Sequence, residues 1–476
     1  MLLENITKQK VVYIIMFHLL LGVLFNLSSL FLDLWYYGCA LWAISNLISK
    51  QNRNEIAASA SFYFVGLEVV SRMVHGNVPW EGVKYIVILF LFLGNSLFNK
   101  KSENNQGIII YFLLLIPSIF IIDYPNFEAF KSQISFNISG PLCLLVTTIY
   151  FSGRTYSVNQ LKSMMLLCIL PILATCMVIF LRIPSFSELK FQDAANFQLS
   201  GGFGPNQVAS IMGFGLIIMF FSFFLAISLT GLRWLDLTIS IALFIFCTIN
   251  FSRGGIFTAI ISTFLGALVW NRYSASQKKG TLFLGLSVVI LSIVILFNYI
   301  DLFTGNTLSQ RYAGSTSKKD ARYEQFGSGV SGRDVLILSD LDIFKDNPVM
   351  GIGMGMTYYQ HANYMDRNIA THTEITRLLS EHGSMGLAAL ILLLSNPIRS
   401  FRRTPHFYKR LFLVMFTSYA LICTTHAAMR LAMMGFGYGI AFMNIIPRRR
   451  DERDPVTDYQ AQSLIWNQYE EGILTS

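Results

Sequence analysis

Apolar residues in this chain come in runs of membrane-spanning length, broken by short polar connections and by one far longer polar interval, 301–374. A helix needs about 20 predominantly apolar residues to cross a bilayer. On that window the runs are 11–30, 34–49, 56–73, 82–98, 107–122, 137–152 and 163–181, then 205–229, 234–251, 255–271 and 281–300. The last three are 375–396, 411–427 and 429–446. The pattern predicts an all-α polytopic membrane protein of about fourteen transmembrane helices. Eleven spans fall in residues 1–300, a large extracytoplasmic loop in 301–374, three spans in 375–446 and a cytoplasmic tail in 447–476. The first run lacks a small-residue cleavage site and reads as a retained helix.

Composition agrees: 53% of the chain is hydrophobic and only 13% charged, against about 25% charged in soluble proteins. The net charge of +9 does not signal nucleic-acid binding, because its placement follows the membrane. Connections assigned to the cytoplasm hold 21 of the 36 basic residues, among them Lys50, Arg53, Arg154, Arg233, the Arg399–Arg410 group and Arg448–Arg453. That is the positive-inside distribution, with both termini cytoplasmic. Eight others lie in the long loop or just past it: Arg311, Lys318, Lys319, Arg322, Arg333, Lys345, Arg367 and Arg377. Orientation does not require them there. They form either a solvated face balanced by the loop's acids or a surface for an anionic ligand. The six cysteines all sit in apolar runs without metal or disulfide spacing and read as small core residues.

Three external segments stand out. In Gly201-Gly202-Phe203-Gly204-Pro205-Asn206-Gln207, Pro205 suits the first turn of a helix whose free N–H groups would face outward. This is a helix start and also a place an anion fits, with Gly204 and Asn206 at the approach. In Phe251-Ser252-Arg253-Gly254-Gly255, Arg253 is the only charge between Asp236 and Arg272. It either snorkels to headgroup phosphates or, with the glycines clearing space beside it, offers its donor fork to a phosphate or pyrophosphate.

The third segment is the long loop. Ser331 is a plausible N-cap for a helix whose face carries Val335, Leu338, Leu341 and Ile343 or Phe344, and Asn347-Pro348 stops it. Gly351-Ile352-Gly353-Met354-Gly355 has no strand-helix context for a dinucleotide fingerprint. It reads as a turn that lets the backbone, at Gly353 above all, reach a ligand. His372 then sits at the start of a long span with Glu374, Arg377 and Glu381 in its first turns. A neutral His beside a carboxylate at a cavity is suited to general-base work near neutral pH. His372 also fits a surface role, and His382, elsewhere on the helix, reads as structural.

In order along the chain, Gly204–Gln207, Ser252–Gly255, Ser331–Arg333, Asn347–Gly353 and His372–Gly383 with Met385-Gly386-Leu387 resemble the O-antigen ligase and O-antigen polymerase superfamily of bacterial membrane glycosyltransferases. The resemblance covers about residues 200–400. It implies a GT-C-like bundle in the bacterial cytoplasmic (inner) membrane, with the active site at its outer face. The implied donor is an undecaprenyl-pyrophosphate-linked glycan and the acceptor another saccharide, with other polysaccharide-assembly proteins as further partners. Arg253 resembles the family arginine that binds donor pyrophosphate, and His372 the loop histidine proposed to activate the acceptor hydroxyl. A further family arginine has Arg182, Arg322 and Arg333 as candidates.

These readings converge on a metal-independent glycosyltransferase without cofactor, with His372 and Glu374 as catalytic residues. Asp340-Leu341-Asp342 has the spacing of a metal pair but lies on the predicted amphipathic helix. A polymerase of O-antigen or exopolysaccharide is favoured, with a ligase to lipid A core as the alternative. A protein O-oligosaccharyltransferase and a polysaccharide flippase follow; a transporter would show two related halves, and none is visible.

Overall fold

The computed structural model describes residues 3, 6–97, 105–122, 124, 126–183, 197–249, 252–273, 298, 332–362 and 368–446, and at 253 and 332–334 the backbone alone. Helices α1 (Lys8–Leu27), α2 (Ser29–Ser49), α3 (Ile56–Met73), α4 (Gly82–Leu97) and α5 (Gln106–Leu115) come first. They are followed by α6 (Phe127–Phe151), α7 (Val158–Arg182), α8 (Pro205–Phe224), α9 (Arg233–Ile249) and α10 (Arg253–Tyr273). After these come α11 (Gly332–Asp346), α12 (Thr357–Gln360), α13 (Glu374–Arg403), α14 (Phe407–Ala427) and α15 (Ala432–Ile440).

Among the described residues, eight helices are long and apolar enough to cross a membrane: α1, α3, α6, α7, α8, α10, α13 and α14. Helix α4 and the region around α5 are shorter apolar helices. The protein is thus a helical multi-pass membrane protein, with eight such helices among the described residues against about fourteen predicted by hydropathy over the whole chain. The predicted span 281–300, apart from Asn298, and the loop up to residue 331 lie outside the described residues.

Local chemistry sets boundaries that hydropathy misses. Helix α6 begins well before residue 137 because Asn126 caps it, its Oδ1 accepting the Ala129 N–H at 2.8 Å. A capping box of Ser157 and Gln160 starts α7 ahead of residue 163. The expected span 429–446 is only partly helical: α15 covers nine residues. Ala428 before it is left-handed, at φ 46°. Gly435, Gly437 and Gly439 weaken α15 as a helix, by about 1 kcal/mol each relative to Ala, but Gly435 and Gly439 let it seat against α6. A Cβ on Gly435 would lie 2.8 Å from the Leu144 nitrogen, and one on Gly439 2.5 Å from Thr147 Cγ2. Such small-residue contacts are how helices approach closely in membranes.

After α15 the chain pairs as a short strand. β2 (Asn444–Ile446) runs parallel to β1 (Thr155–Ser157) with Thr155 opposite Asn444. This two-stranded pairing is the one amendment to the all-α expectation among the described residues. It marks one end of the bundle, where Asn52 Nδ2 donates to Tyr150 Oη at 2.9 Å and Tyr150 and Tyr156 hydroxyls both donate to Glu55 Oε2 at 2.9 Å. A cavity of 720 Å³ there is lined by Arg399, Arg403, His406, Lys409 and Asn444 among others. It contains none of the motif residues, so volume is a poor guide to the chemistry in this protein. The motifs lie at the opposite end.

There α11 stops before Asn347-Pro348 as expected, but its buried face differs. Val335, Leu336, Ser339, Asp340 and Ile343 are buried, while Leu338 is 40% exposed. The helix is turned because Asp340 has buried donors waiting for it. Helix α13 kinks at Gly383 (φ 58°, ψ −136°), and the glycine turn docks into that kink. Gly351, Gly353 and Gly355 all have positive φ, and Ile352 and Gly353 donate to the Ser380 and Glu381 carbonyls at 3.0 Å.

Candidate active site

Helices α8 and α10 both begin at this end, behind Gly204 and Ser252. Ser252 Oγ donates to Asn206 Oδ1 at 2.8 Å, so two helix starts, each the positive end of its helix dipole, lie side by side. Gln207 Oε1 accepts from Arg72 Nη1 at 3.0 Å, and the same nitrogen donates to the Arg430 carbonyl at 3.0 Å. Arg430 Nη2 in turn donates to the carbonyls of Ala370 and Thr371 at 3.1 and 2.9 Å. The His372 carbonyl accepts the Ala428 N–H at 3.0 Å. Residues 426–430, the end of α14 and the turn that follows it, therefore join the segments around Asn206 and His372.

The same turn reaches α10. The His426 ring packs on Gly254, where an added Cβ would fall 2.2 Å from its Cδ2, and its Nε2 lies 3.5 Å from Ser210 Oγ. Gly255 meets the α8 backbone, with a Cβ only 2.1 Å from the Ala209 carbonyl oxygen. The glycine pair was expected to clear space beside the Arg253 guanidinium. The space it clears is taken by His426 and by α8.

Behind this ring sits buried charge. Arg377 holds two carboxylates: both Glu374 oxygens, with Nε to Oε2 at 3.1 Å, and Glu381 Oε2, from Nη1 at 2.9 Å. Its Nη1 also donates to Asn137 Oδ1 at 3.3 Å. Glu374 Oε2 accepts the Met429 N–H at 3.2 Å, and Glu381 Oε1 the Thr357 hydroxyl at 2.6 Å. A cavity of about 20 Å³, lined among others by Asn137, Glu374, Arg377 and Arg430, adjoins them. A second network links Glu68, Arg72, Glu81 and Lys84: Arg72–Glu68 at 2.6 Å, Lys84–Glu81 at 2.6 Å and Arg72–Glu81 at 3.6 Å. The Ala432 N–H donates to Glu68 at 2.7 Å, so this network anchors the start of α15. Each cation faces a carboxylate, as charges removed from water must.

A third cluster ties α11 to the His372 segment. Asp340 Oδ1 accepts from His361 Nε2 at 2.9 Å and Thr371 Oγ1 at 3.2 Å, and Oδ2 from Thr376 Oγ1 at 2.6 Å. His361 Nδ1 lies 2.6 Å from the Ile369 carbonyl. Burial disfavours the charged ring, but the Asp340 hydrogen bond and charge, with the Ile369 carbonyl, outweigh it and raise the His361 pKa. The two acids of Asp340-Leu341-Asp342 point apart, since Asp342 pairs with Lys345 at the surface at 2.8 Å.

Of the residues singled out in the sequence, His372 is half-buried on the ring and Glu374 is buried beneath it. Glu374 has both oxygens engaged, so it holds the 428–430 turn. Arg253 begins α10 and Arg333 lies in the first turn of α11, each placed by backbone alone; Arg322 lies outside the described residues. Arg182 is turned to its own fold, donating to Asn26 Oδ1 at 2.7 Å and to the Met73 and Gly201 carbonyls at 3.0 and 3.1 Å. Gly204 faces open space apart from the Gln207 side chain. Gly353 approaches Ile122, with a Cβ 2.3 Å from its Cγ1, so its close backbone contact is with the chain itself. Arg72, Glu68 and Asn137 were not singled out. Charged residues inside apolar runs, Glu68 and Arg72 in 56–73, were the available signal.

Comparison with known proteins matches a family model described as O-antigen ligase to residues 237–391. It runs from α9 through α10, α11 and α12 into α13, and so includes Arg253, Asp340, His361 and His372. No curated protein and no solved structure matches. The resemblance to the O-antigen ligase and polymerase superfamily therefore holds for this region. The family is one of membrane glycosyltransferases acting on lipid-linked glycans and saccharide acceptors.

Proposed function

We propose that this protein transfers a glycan from an undecaprenyl-pyrophosphate donor to a saccharide acceptor at the outer face of the bacterial inner membrane. The observation that carries the reading is the hydrogen-bonded ring at one end of the bundle. It brings the starts of α8 and α10, the His372 segment and the 426–430 turn together, and the family match spans α10 and the His372 segment. The basic connections at Arg53, Arg154 and Arg399–Arg410, which fit the positive-inside rule, support the outer face for the site and cytoplasmic termini.

In this reading His372 takes the proton of the acceptor hydroxyl as its oxygen attacks the anomeric carbon of the donor sugar. The bond from that carbon to the pyrophosphate oxygen breaks, and the lipid pyrophosphate leaves with the added negative charge. Arg253, at a helix start beside a second helix start, compensates that charge. Arg333 and Arg322 are the further candidate cations for the donor pyrophosphate, because the bonds of Arg182 are already committed. Glu374 fixes the turn that faces His372. The transfer needs no metal, and activity surviving a chelator is the expected result.

We favour chain polymerisation, with ligation to lipid A core as the second reading. The test is His372→Ala and Arg253→Ala in vesicles supplied with lipid-linked repeat units. Loss of product in both is expected, and unchanged assembly in both overturns the assignment. Lengthening of the lipid-linked glycan, as against its appearance on core oligosaccharide, separates the two readings.

A further inference from the structure

His361 is fully buried, and both its ring nitrogens face acceptors: the Ile369 carbonyl at 2.6 Å and Asp340 Oδ1 at 2.9 Å. Neutral imidazole has one N–H and can satisfy only one of these; imidazolium satisfies both. Asp340 is equally buried and spends its remaining capacity on Thr371 and Thr376. Those two residues bracket His372. The charged groups facing the ring are Asp340 from α11 and Glu381 from α13, while Arg377 on α13 is held by Glu374 and Glu381.

We propose that His361 and Asp340 form a positioning pair: held as an imidazolium–carboxylate pair, they fix residues 369–376 and so present His372. Deprotonation of His361 forces one of its two contacts to be given up, either Ile369 on the segment itself or Asp340 that clamps both of its ends. His361 must then be protonated while His372 is neutral. The two histidines set opposite limbs of one pH profile: activity rises as His372 loses its proton and falls as His361 does. The role of His372 as the base rests on the function proposed above; the clamp on residues 369–376 does not.

Hydrogen exchange of the full chain in lipid nanodiscs tests the clamp without reference to catalysis. Rates are corrected for the intrinsic pH dependence of exchange. Protection of peptides covering 369–376 should fall in one step as pH rises above the ordinary histidine range. The step should be about tenfold to a hundredfold, as for loss of one charged hydrogen bond. His361→Gln keeps a donor but cannot titrate, so its protection should be lower and show no step. Asp340→Asn keeps an acceptor without the charge and should move the step to lower pH, which serves if His361→Gln folds poorly. Flat protection in the wild type, or the same step surviving in His361→Gln, overturns the proposal. In transfer assays the alkaline fall in kcat should vanish in His361→Gln. Retained activity in His372→Ala with the exchange step intact refutes the functional reading alone, whereas an absent step with an inactive His372→Ala refutes the clamp alone.

Discussion

Arg377 is the cation whose removal should do the most damage. It makes four hydrogen bonds from a buried position, to both Glu374 oxygens, Glu381 and Asn137. Arg377→Ala leaves two carboxylates, each about 1% exposed, facing each other without a counter-ion. Removing one partner of a buried pair costs about 3–5 kcal/mol, and Glu374 also anchors the Met429 N–H, so the turn at His372 should loosen as well. Arg377→Lys should recover only part of the loss, since a point charge cannot bridge two carboxylates and an amide as the guanidinium fork does. The readout is the thermal midpoint of detergent-solubilised protein, followed by tryptophan fluorescence. Arg377→Met combined with Glu374→Gln and Glu381→Gln removes the unpaired charges and should regain most of the stability. The reasoning is refuted by an Arg377→Ala protein as stable as wild type, or by a triple variant no better than the single one.

Three further outcomes follow from the same contacts. Gly254→Ala drives a methyl into the His426 ring, at 2.2–2.7 Å from three of its atoms, and should cost about 1–3 kcal/mol and most transfer activity; adding His426→Ala should restore the stability, as measured by thermal unfolding. Gly383→Ala forces an alanine to φ 58°, ψ −136°, a region that costs about 1–3 kcal/mol, and puts its Cβ 2.6 Å from the Gly351 nitrogen, so the purified yield of folded protein should fall. The raised His361 pKa stabilises the fold fully below the ordinary histidine value of about 6.5 and progressively less as pH rises through the folded-state value. The gap in thermal midpoint between wild type and His361→Gln should therefore narrow toward alkaline pH, and a gap independent of pH would contradict it.

Much of the architecture follows from one-dimensional pattern. Hydropathy located α3 at 56–73 to the residue and most of the other long helices to within a few positions, because the need to bury an apolar run of fixed length is local to that run. The stop at Asn347-Pro348 was legible for the same reason. What failed was reading polarity as exposure. Asp340 is absent from the apolar face predicted for α11, and its burial depends on Thr371, Thr376 and His361 arriving from elsewhere. The glycines at 254, 351 and 353 looked like room for a ligand, yet the room is filled by His426, α13 and Ile122.

The sequence by itself determined a helical membrane protein, the order of the motif segments and their resemblance to a glycosyltransferase superfamily, since these depend on composition and spacing along the chain. Only the tertiary structure decided that the start of α8, the start of α10 and the His372 segment form one hydrogen-bonded ring. It alone showed that the turn at 426–430 closes that ring, and that Glu374, Arg182 and Arg377 are already committed to partners inside the fold. The physical reason is that a buried polar group is defined by what satisfies it, and its partner can lie hundreds of residues away, as Arg72 and Arg430 do.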